Sequence, residues 1–181
     1  MLAEEKNLVS RARAGEAEAF GQLYDHYLPK IYRFILLKVE MGAEAEDLTH
    51  EVFLSAWKGI ENYEITAFPF GSWLYRIARN KVIDYYRTNK VHLTINEVKE
   101  GTPNIAVAMT VENELDLQLG LEKIKRALRQ LSEDQQTVII MRFVDDLPHT
   151  EIAAVLGRSE NATRVIQHNA LKNLRKILRN G

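Results

Sequence analysis

Aromatic and basic side chains alternate along one segment of the chain, from residue 62 to residue 90. Cations bind backbone phosphates and aromatic rings stack on unpaired bases, at about 1–3 kcal/mol per base, so this mixture indicates a surface for single-stranded nucleic acid. A packed helix with an ordinary basic solvent face explains part of the same pattern. Three apolar residues have the spacing of a buried stripe: Trp73, Leu74 and Ile77. The binding hypothesis concerns the residues beside that stripe: Arg76, Arg79 and Asn80.

A second segment, residues 149–178, has the pattern of a helix-turn-helix. A short predicted helix ends at Gly157, whose backbone freedom suits a tight turn, and Ser159 can cap the helix that follows. We expect an apolar rear at four-residue spacing, formed by Ala162, Ile166, Ala170 and Leu174 with Leu171 and Leu178 beside it. The predicted polar front consists of Asn161, Arg164, His168, Lys172 and Arg175, with Gln167 at its flank. This arrangement is typical of a helix that enters the major groove, although a bundle end with a basic solvent face shares it.

Charge is segregated although the formal net charge of the 181 residues is only −1. Residues 74–90 hold five basic side chains against one acidic side chain, and residues 158–181 hold six against one. Acidic blocks around residues 40–51 and 97–122 balance them. Such separation creates local potentials that the net charge hides, and it favours partners of opposite charge.

Several classes of chemistry are excluded or disfavoured by composition. The chain has no cysteine, which excludes a disulfide scaffold, a thiolate zinc site and a cysteine nucleophile. Its five histidines are scattered without paired-ligand spacing, and there is no glycine-rich phosphate loop, which argues against a helical metal-dependent hydrolase. We therefore predict no catalytic residues, no metal, no cofactor and no enzymatic activity.

Helical periodicity runs through most of the chain, with only 4 prolines and 9 glycines. We predict an all-α fold of two small helical domains, at residues 1–90 and 118–181, joined by a flexible acidic linker at residues 91–117. The linker is indicated by turn residues such as Pro103 and by the loss of apolar periodicity. The longest uncharged run, residues 65–75, is too short to span a membrane, and no signal peptide is evident, so we expect a cytoplasmic location.

Three stretches resemble two conserved regions of the extracytoplasmic-function sigma factors in the sigma-70 family. AEDLTHEVFLSAW at residues 45–57 and FGSWLYRIARNKVIDYYR at residues 70–87 are similar to region 2, and residues 131–176 are similar to region 4. The resemblance implies a sigma factor that binds bacterial core RNA polymerase and directs it to specific promoters. It also implies −35 recognition, −10 melting, a role in a stress or envelope response, and control by an anti-sigma factor.

The resemblance places these functions on particular residues. Binding of core polymerase is implied for Asp47, Leu48, Glu51, Phe53 and Leu54. Recognition and melting of the −10 element are implied for Phe70, Ser72, Arg76, Arg79, Asn80, Lys81 and Arg87, with one flipped base beneath the loop at residues 62–72. Recognition of the −35 element is implied for Arg158, Ser159, Glu160, Asn161, Arg164, Gln167, His168 and Lys172.

The chain departs from the commonest family pattern in both DNA-binding segments. Asn161, Val165, Ile166 and Asn169 stand where glycine, serine and arginines are usual, and Pro69 lies in the region 2 loop. The base preferences at both elements therefore stay open. A helix-turn-helix regulator that never binds polymerase is the main alternative, but it leaves the region 2 similarity unexplained.

Overall fold

The computed structural model describes residues 4–65, 68–92 and 111–180. All regular secondary structure in these residues is helical, which confirms the predicted all-α class. The α-helices are α1 (Glu5–Arg13), α2 (Ala17–Leu36), α3 (Gly42–Gly59), α4 (Phe70–His92), α5 (Val111–Arg129), α6 (Glu133–Phe143), α7 (His149–Leu156) and α8 (Glu160–Asn180). A short 3₁₀ turn at Ile60–Asn62 follows α3. Much of the predicted linker at residues 91–117 lies outside the described residues.

Helices α1 to α4 form a first bundle around the apolar stripe of α2. Leu23, Tyr27 and Ile31 are buried at the four-residue spacing that the sequence indicates, and α2 continues through Pro29 to Leu36. Phe34 of α2 meets Tyr75 of α4 edge to face, with ring centroids 5.3 Å apart. Helix α4 is therefore held with one apolar face inward and its basic residues outward.

The second half of the chain comprises α5 to α8, and local sequence signals there set the ends of the helices. The Ser132 hydroxyl accepts from the Gln135 amide at 3.4 Å and the Gln135 side chain accepts from the Ser132 amide, which forms the capping box that the Ser-x-x-Gln spacing at residues 132–135 indicates. Gly157 ends α7 with φ +63°, a left-handed conformation that favours glycine. Ser159 then caps α8 by accepting from the Ala162 amide at 3.2 Å. The helix-turn-helix is thus built as predicted.

The apolar rear of α8 is shorter than the sequence pattern predicts. Ala170 is fully buried, and Ala162, Ile166 and Leu174 are half-buried. The expectation that Leu178 would lie beside this ladder is wrong, because Leu178 is 65% exposed in the last turns of α8, beyond its buried residues. Thr163, which the pattern did not identify, is buried and donates its hydroxyl to the Ser159 carbonyl at 3.1 Å.

No helix in the described part of the chain combines the length and apolar character that crossing a membrane requires.

Candidate nucleic-acid interface

The basic residues of α4 lie off its buried stripe, as the sequence predicts. Leu74, Ala78 and Val82 are buried, whereas Arg76 and Asn80 are exposed. Trp73 and Ile77 are half-buried against the core. Three further basic side chains on the same helix are partly or fully exposed: Arg79, Lys81 and Arg87. Helix α4 therefore presents a cationic surface of the kind that binds phosphates.

A cavity of about 590 Å³ opens beside this cationic surface. The first bundle contributes an aromatic wall to it, formed by Tyr63, Phe68 and Trp73, and the Tyr63 and Trp73 ring centroids are 4.8 Å apart. Ser72 also lines the cavity, and its buried hydroxyl has no hydrogen-bond partner among the described residues. Phe70 is 1% exposed, so it supports the wall from behind rather than lining the cavity. Flat aromatic ligands suit such a pocket, because the rings of its wall can stack on them. The Ser72 hydroxyl is covered, so it reaches a ligand only after the wall of the cavity moves.

The second half of the chain forms the opposite wall of the cavity. Ala153, Ala154, Gly157 and Arg158, at the end of α7 and in the turn after it, line that wall. The Arg76 guanidinium donates to the Ala154 carbonyl across the cavity. One of the predicted DNA-binding residues is therefore already engaged by the helix-turn-helix.

The acidic first turn of α6 engages a second predicted DNA-binding residue. The Arg79 guanidinium lies 2.6 Å from Glu133 and 2.7 Å from Asp134. Asp134 also pairs with Arg158, at 3.0 Å. Acidic residues stabilise the positive end of a helix, and here the same carboxylates hold the arginine as phosphate oxygens would.

A buried lysine strengthens this contact, and the sequence analysis did not identify it. Lys38, in the turn after α2, is 1% exposed, and its ammonium donates to Glu133 and to the Thr137 hydroxyl, both at 2.7 Å. Burial lowers the pKa of Lys38, and the Glu133 carboxylate opposes that shift. A desolvated charge needs its partner, so Glu133 ties the two halves of the chain together. In the sequence, Lys38 stands between the apolar residues Leu37 and Val39, and this local pattern does not identify Glu133 as its partner.

The predicted −35 residues are used in two different ways by the helix-turn-helix. Asn161, Arg164, His168 and Lys172 are exposed along one side of α8, and Arg164 pairs with Glu160 one turn earlier. By contrast, Gln167 accepts from His149 Nε2 at 2.5 Å, and Ser159 serves as the helix cap. The structure therefore gathers an exposed polar row on α8. Gln167 instead joins α8 to α7 through His149, and Ser159 shapes the turn between the two helices.

The predicted polymerase-binding residues of α3 also divide into two groups. Asp47, Glu51 and Leu54 are exposed, and Leu54 is exposed by 53%, an unusual position for leucine on an acidic helix. Leu48 and Phe53 are buried in the core, where Phe53 meets the ring of Tyr24. An exposed apolar side chain on a helix that also presents Asp47 and Glu51 is suited to a protein partner with a basic surface.

Within the described residues, no three histidine or carboxylate side chains gather into a cluster that could hold a metal ion.

Models of two protein families match the chain. The family described as Sigma-70 region 2 matches residues 23–91, and the family described as Sigma-70, region 4 matches residues 127–176. The first match covers α4 and its basic surface, and the second covers the helix-turn-helix.

Curated proteins and solved structures resemble the chain along most of its length. The ECF RNA polymerase sigma factor BldN of Streptomyces coelicolor is 37% identical over 94% of this chain, which spans 64% of BldN. The ECF RNA polymerase sigma factor SigL of Mycobacterium tuberculosis is 33% identical, and the alignment covers 94% of both chains. The sigma factor RpoE of Bartonella quintana, solved with the anti-sigma factor NepR, has a similar fold, with a TM-score of 0.68 at 23% identity over 88% of this chain and 96% of that one.

Proposed function

The chain belongs to the extracytoplasmic-function sigma factors of the sigma-70 family, and on that premise we propose that it directs bacterial core RNA polymerase to a specific set of promoters. In this proposal α8 recognises the −35 element, and α4 with the preceding loop recognises and opens the −10 element. The regulon belongs to a stress or envelope response, and the protein acts in the cytoplasm, where the polymerase works.

One observation carries the assignment to the −10 element: the cationic side of α4 lies directly beside the aromatic cavity with its unpartnered Ser72 hydroxyl. A base that leaves the duplex loses stacking worth a few kcal/mol, and AT-rich steps lose the least. Stacking on Trp73, a hydrogen bond from Ser72 and phosphate contacts from Arg76 offset that loss. The proposal needs no catalytic group and no nucleotide hydrolysis, because binding energy drives the opening.

The same geometry requires the two halves of the chain to separate before the −10 element binds. Arg79 cannot hold phosphates while Glu133 and Asp134 occupy its guanidinium, and the Arg76 guanidinium is likewise engaged by the Ala154 carbonyl. Helices α6 and α7 must therefore move away from α4. Binding of core polymerase and promoter DNA supplies the free energy for this separation.

The exposed side of α3 is the proposed docking surface for core polymerase. Asp47 and Glu51 supply charge, and Leu54 supplies exposed apolar area on the same helix. Leu48 and Phe53 act from beneath by fixing α3 in the bundle. An anti-sigma factor is the proposed regulator, since the related RpoE was solved with one, and it would cover the polymerase- and DNA-binding surfaces.

Reconstituted transcription tests the proposal. Purified chain and bacterial core polymerase are combined on a genomic promoter library, and core polymerase alone serves as the control. We expect co-elution of the chain with core polymerase and transcripts that start downstream of a shared pair of −35 and −10 sequences. Failure of the chain to co-elute with core polymerase would contradict the proposal.

A further inference from the structure

Glu5 is a buried carboxylate at the start of α1, in a part of the chain that precedes the family match. It is 8% exposed, and both of its oxygens have partners. The Tyr27 hydroxyl donates to Oε2 at 2.5 Å, and the Phe70 backbone N–H donates to Oε1 at 2.6 Å. Burial and the Glu5 carboxylate raise the pKa of Tyr27, so the phenol stays a donor.

The contact with Phe70 places Glu5 at the N-terminus of α4. Phe70 is the first residue of that helix, whose first turn contains no acidic residue of its own. The first amides of a helix lack partners within the helix, and negative charge is stabilised there by the helix dipole. Glu5 therefore serves as a cap supplied from 65 residues away.

Packing around Tyr27 connects the start of α4 to the aromatic wall of the cavity. A Cβ added to Gly71 would lie 2.5 Å from a carbon of the Tyr27 ring, so the α4 backbone passes directly against that ring. The Phe70 ring packs against Tyr63 at 5.4 Å and Trp73 at 5.3 Å between centroids. Glu5 and Tyr27 thus fix the two residues that immediately precede Ser72 and Trp73 in the cavity wall.

We propose that Glu5 is a positioning residue for promoter opening. Its carboxylate holds the start of α4 so that Ser72 and Trp73 face the flipped base, and it contacts neither DNA nor polymerase itself. The inference rests on the proposed function, because opening of the −10 element is the step that Glu5 serves. A purely structural role is the alternative, and it would lower stability, polymerase binding and opening together.

The first test measures the local structure in the full-length chain alone. Glu5→Ala and Glu5→Gln are compared with Glu4→Gln, a matched control at the exposed neighbouring residue. Hydrogen exchange of the backbone amides at residues 68–75 should be faster by about 10-fold in Glu5→Ala, the size expected when one hydrogen bond to a charged group is lost. Glu5→Gln should show a smaller increase, and Glu4→Gln none. Unchanged exchange in Glu5→Ala overturns the proposal, whatever the chain does with polymerase.

The second test separates opening from binding in the reconstituted holoenzyme. On a duplex promoter, Glu5→Ala should reduce permanganate reactivity of the −10 thymines by about 10-fold. On the same promoter with a pre-opened −10 segment the thymines are unpaired from the start, so transcript yield is the readout there, and Glu5→Ala should retain most of the wild-type yield because the cost of opening is already met. Polymerase co-elution should match the wild type, and Tyr27→Phe should give a milder defect of the same kind.

Each outcome of the second test has a distinct meaning. Equal losses on duplex and pre-opened templates, or a parallel loss of polymerase binding, would assign Glu5 a merely structural role and overturn the proposal. Failure of the wild-type chain to bind core polymerase would instead remove the proposed function, and the role of Glu5 in promoter opening with it. The exchange experiment then still reports whether Glu5 fixes the start of α4.

Discussion

Helices α4 and α8 are both basic, but different groups occupy their basic side chains. On α8, Arg164 forms a local ion pair with Glu160, one turn away. The row formed by Asn161, Arg164, His168 and Lys172 is exposed. On α4, Arg79 and Arg76 are held by residues from the other half of the chain. Similar charge patterns in sequence therefore give two different surfaces. The basic surface of α8 is open, because its side chains are exposed, and that of α4 is masked, because residues of the other half hold Arg76 and Arg79. The difference for Arg79 lies in the acidic first turn of α6, which belongs to neither basic helix.

The largest expected effect comes from Glu133→Ala, which tests the masking directly. Loss of the Glu133 carboxylate leaves the ammonium of Lys38 buried without its ionic partner. Breaking a buried pair costs about 3–5 kcal/mol, and the partial exposure of Glu133 places this pair at the lower end. We expect the two halves to separate, with a larger radius in small-angle scattering and tighter binding of a single-stranded −10 oligonucleotide. Asp25→Asn, an exposed acid of the first bundle, is the control. Unchanged oligonucleotide affinity in Glu133→Ala would mean that the α4 surface is not masked.

Arg164→Ala tests the open surface. A base or phosphate contact from this side chain would contribute about 1–3 kcal/mol, so transcription from promoters that depend on the −35 element should fall about 10-fold. Binding of the single-stranded −10 oligonucleotide should not change, because Arg164 lies on α8. Equal transcription from wild-type and variant holoenzymes on such promoters would remove Arg164 from the interface.

Asn80→Ala tests the masked surface with a smaller change, since it removes one exposed amide from α4. Permanganate reactivity of the −10 thymines should fall several-fold, while retention of the closed duplex complex at 4 °C stays near the wild-type value. A loss of duplex retention equal to the loss of reactivity would place Asn80 in duplex recognition instead.

Gly157→Ala should have the smallest effect of the four substitutions. It leaves the charges of α4 and α8 unchanged and alters only the turn between α7 and α8. An added Cβ at this position meets no described atom within 4 Å, so only the left-handed φ of +63° opposes it. The cost should be about 1 kcal/mol, read as a lower midpoint of thermal unfolding. Promoter selectivity should stay the same at temperatures well below that midpoint.

Local sequence patterns predicted the features of the fold that depend on neighbouring residues. The capping box of Ser132 and Gln135, the turn at Gly157 and the outward basic residues of α4 all follow from spacing within one or two helical turns. These patterns report which side of a helix is apolar, and that is sufficient to separate Arg76 and Asn80 from the buried stripe.

Contacts between distant residues could not be predicted in this way. Lys38 meets Glu133 across 95 positions and Glu5 meets Phe70 across 65, so no local period identifies either pair. The burial of Phe53 has the same origin, because α3 packs against both α2 and α4 and buries more than one stripe. Helix α1 was missed for a related reason: nine residues carry too few apolar positions to establish a period.

Two adjacent carboxylates, Glu133 and Asp134, connect the two halves of the molecule. Asp134 accepts from Arg79 on one oxygen and from Arg158 on the other, and Glu133 pairs with Arg79 as well, so Arg79 is released only when both carboxylates leave it. Under the proposed function, binding of the −10 element must therefore displace two carboxylates from one arginine, whereas binding through the exposed row of α8 displaces no described residue of the other half.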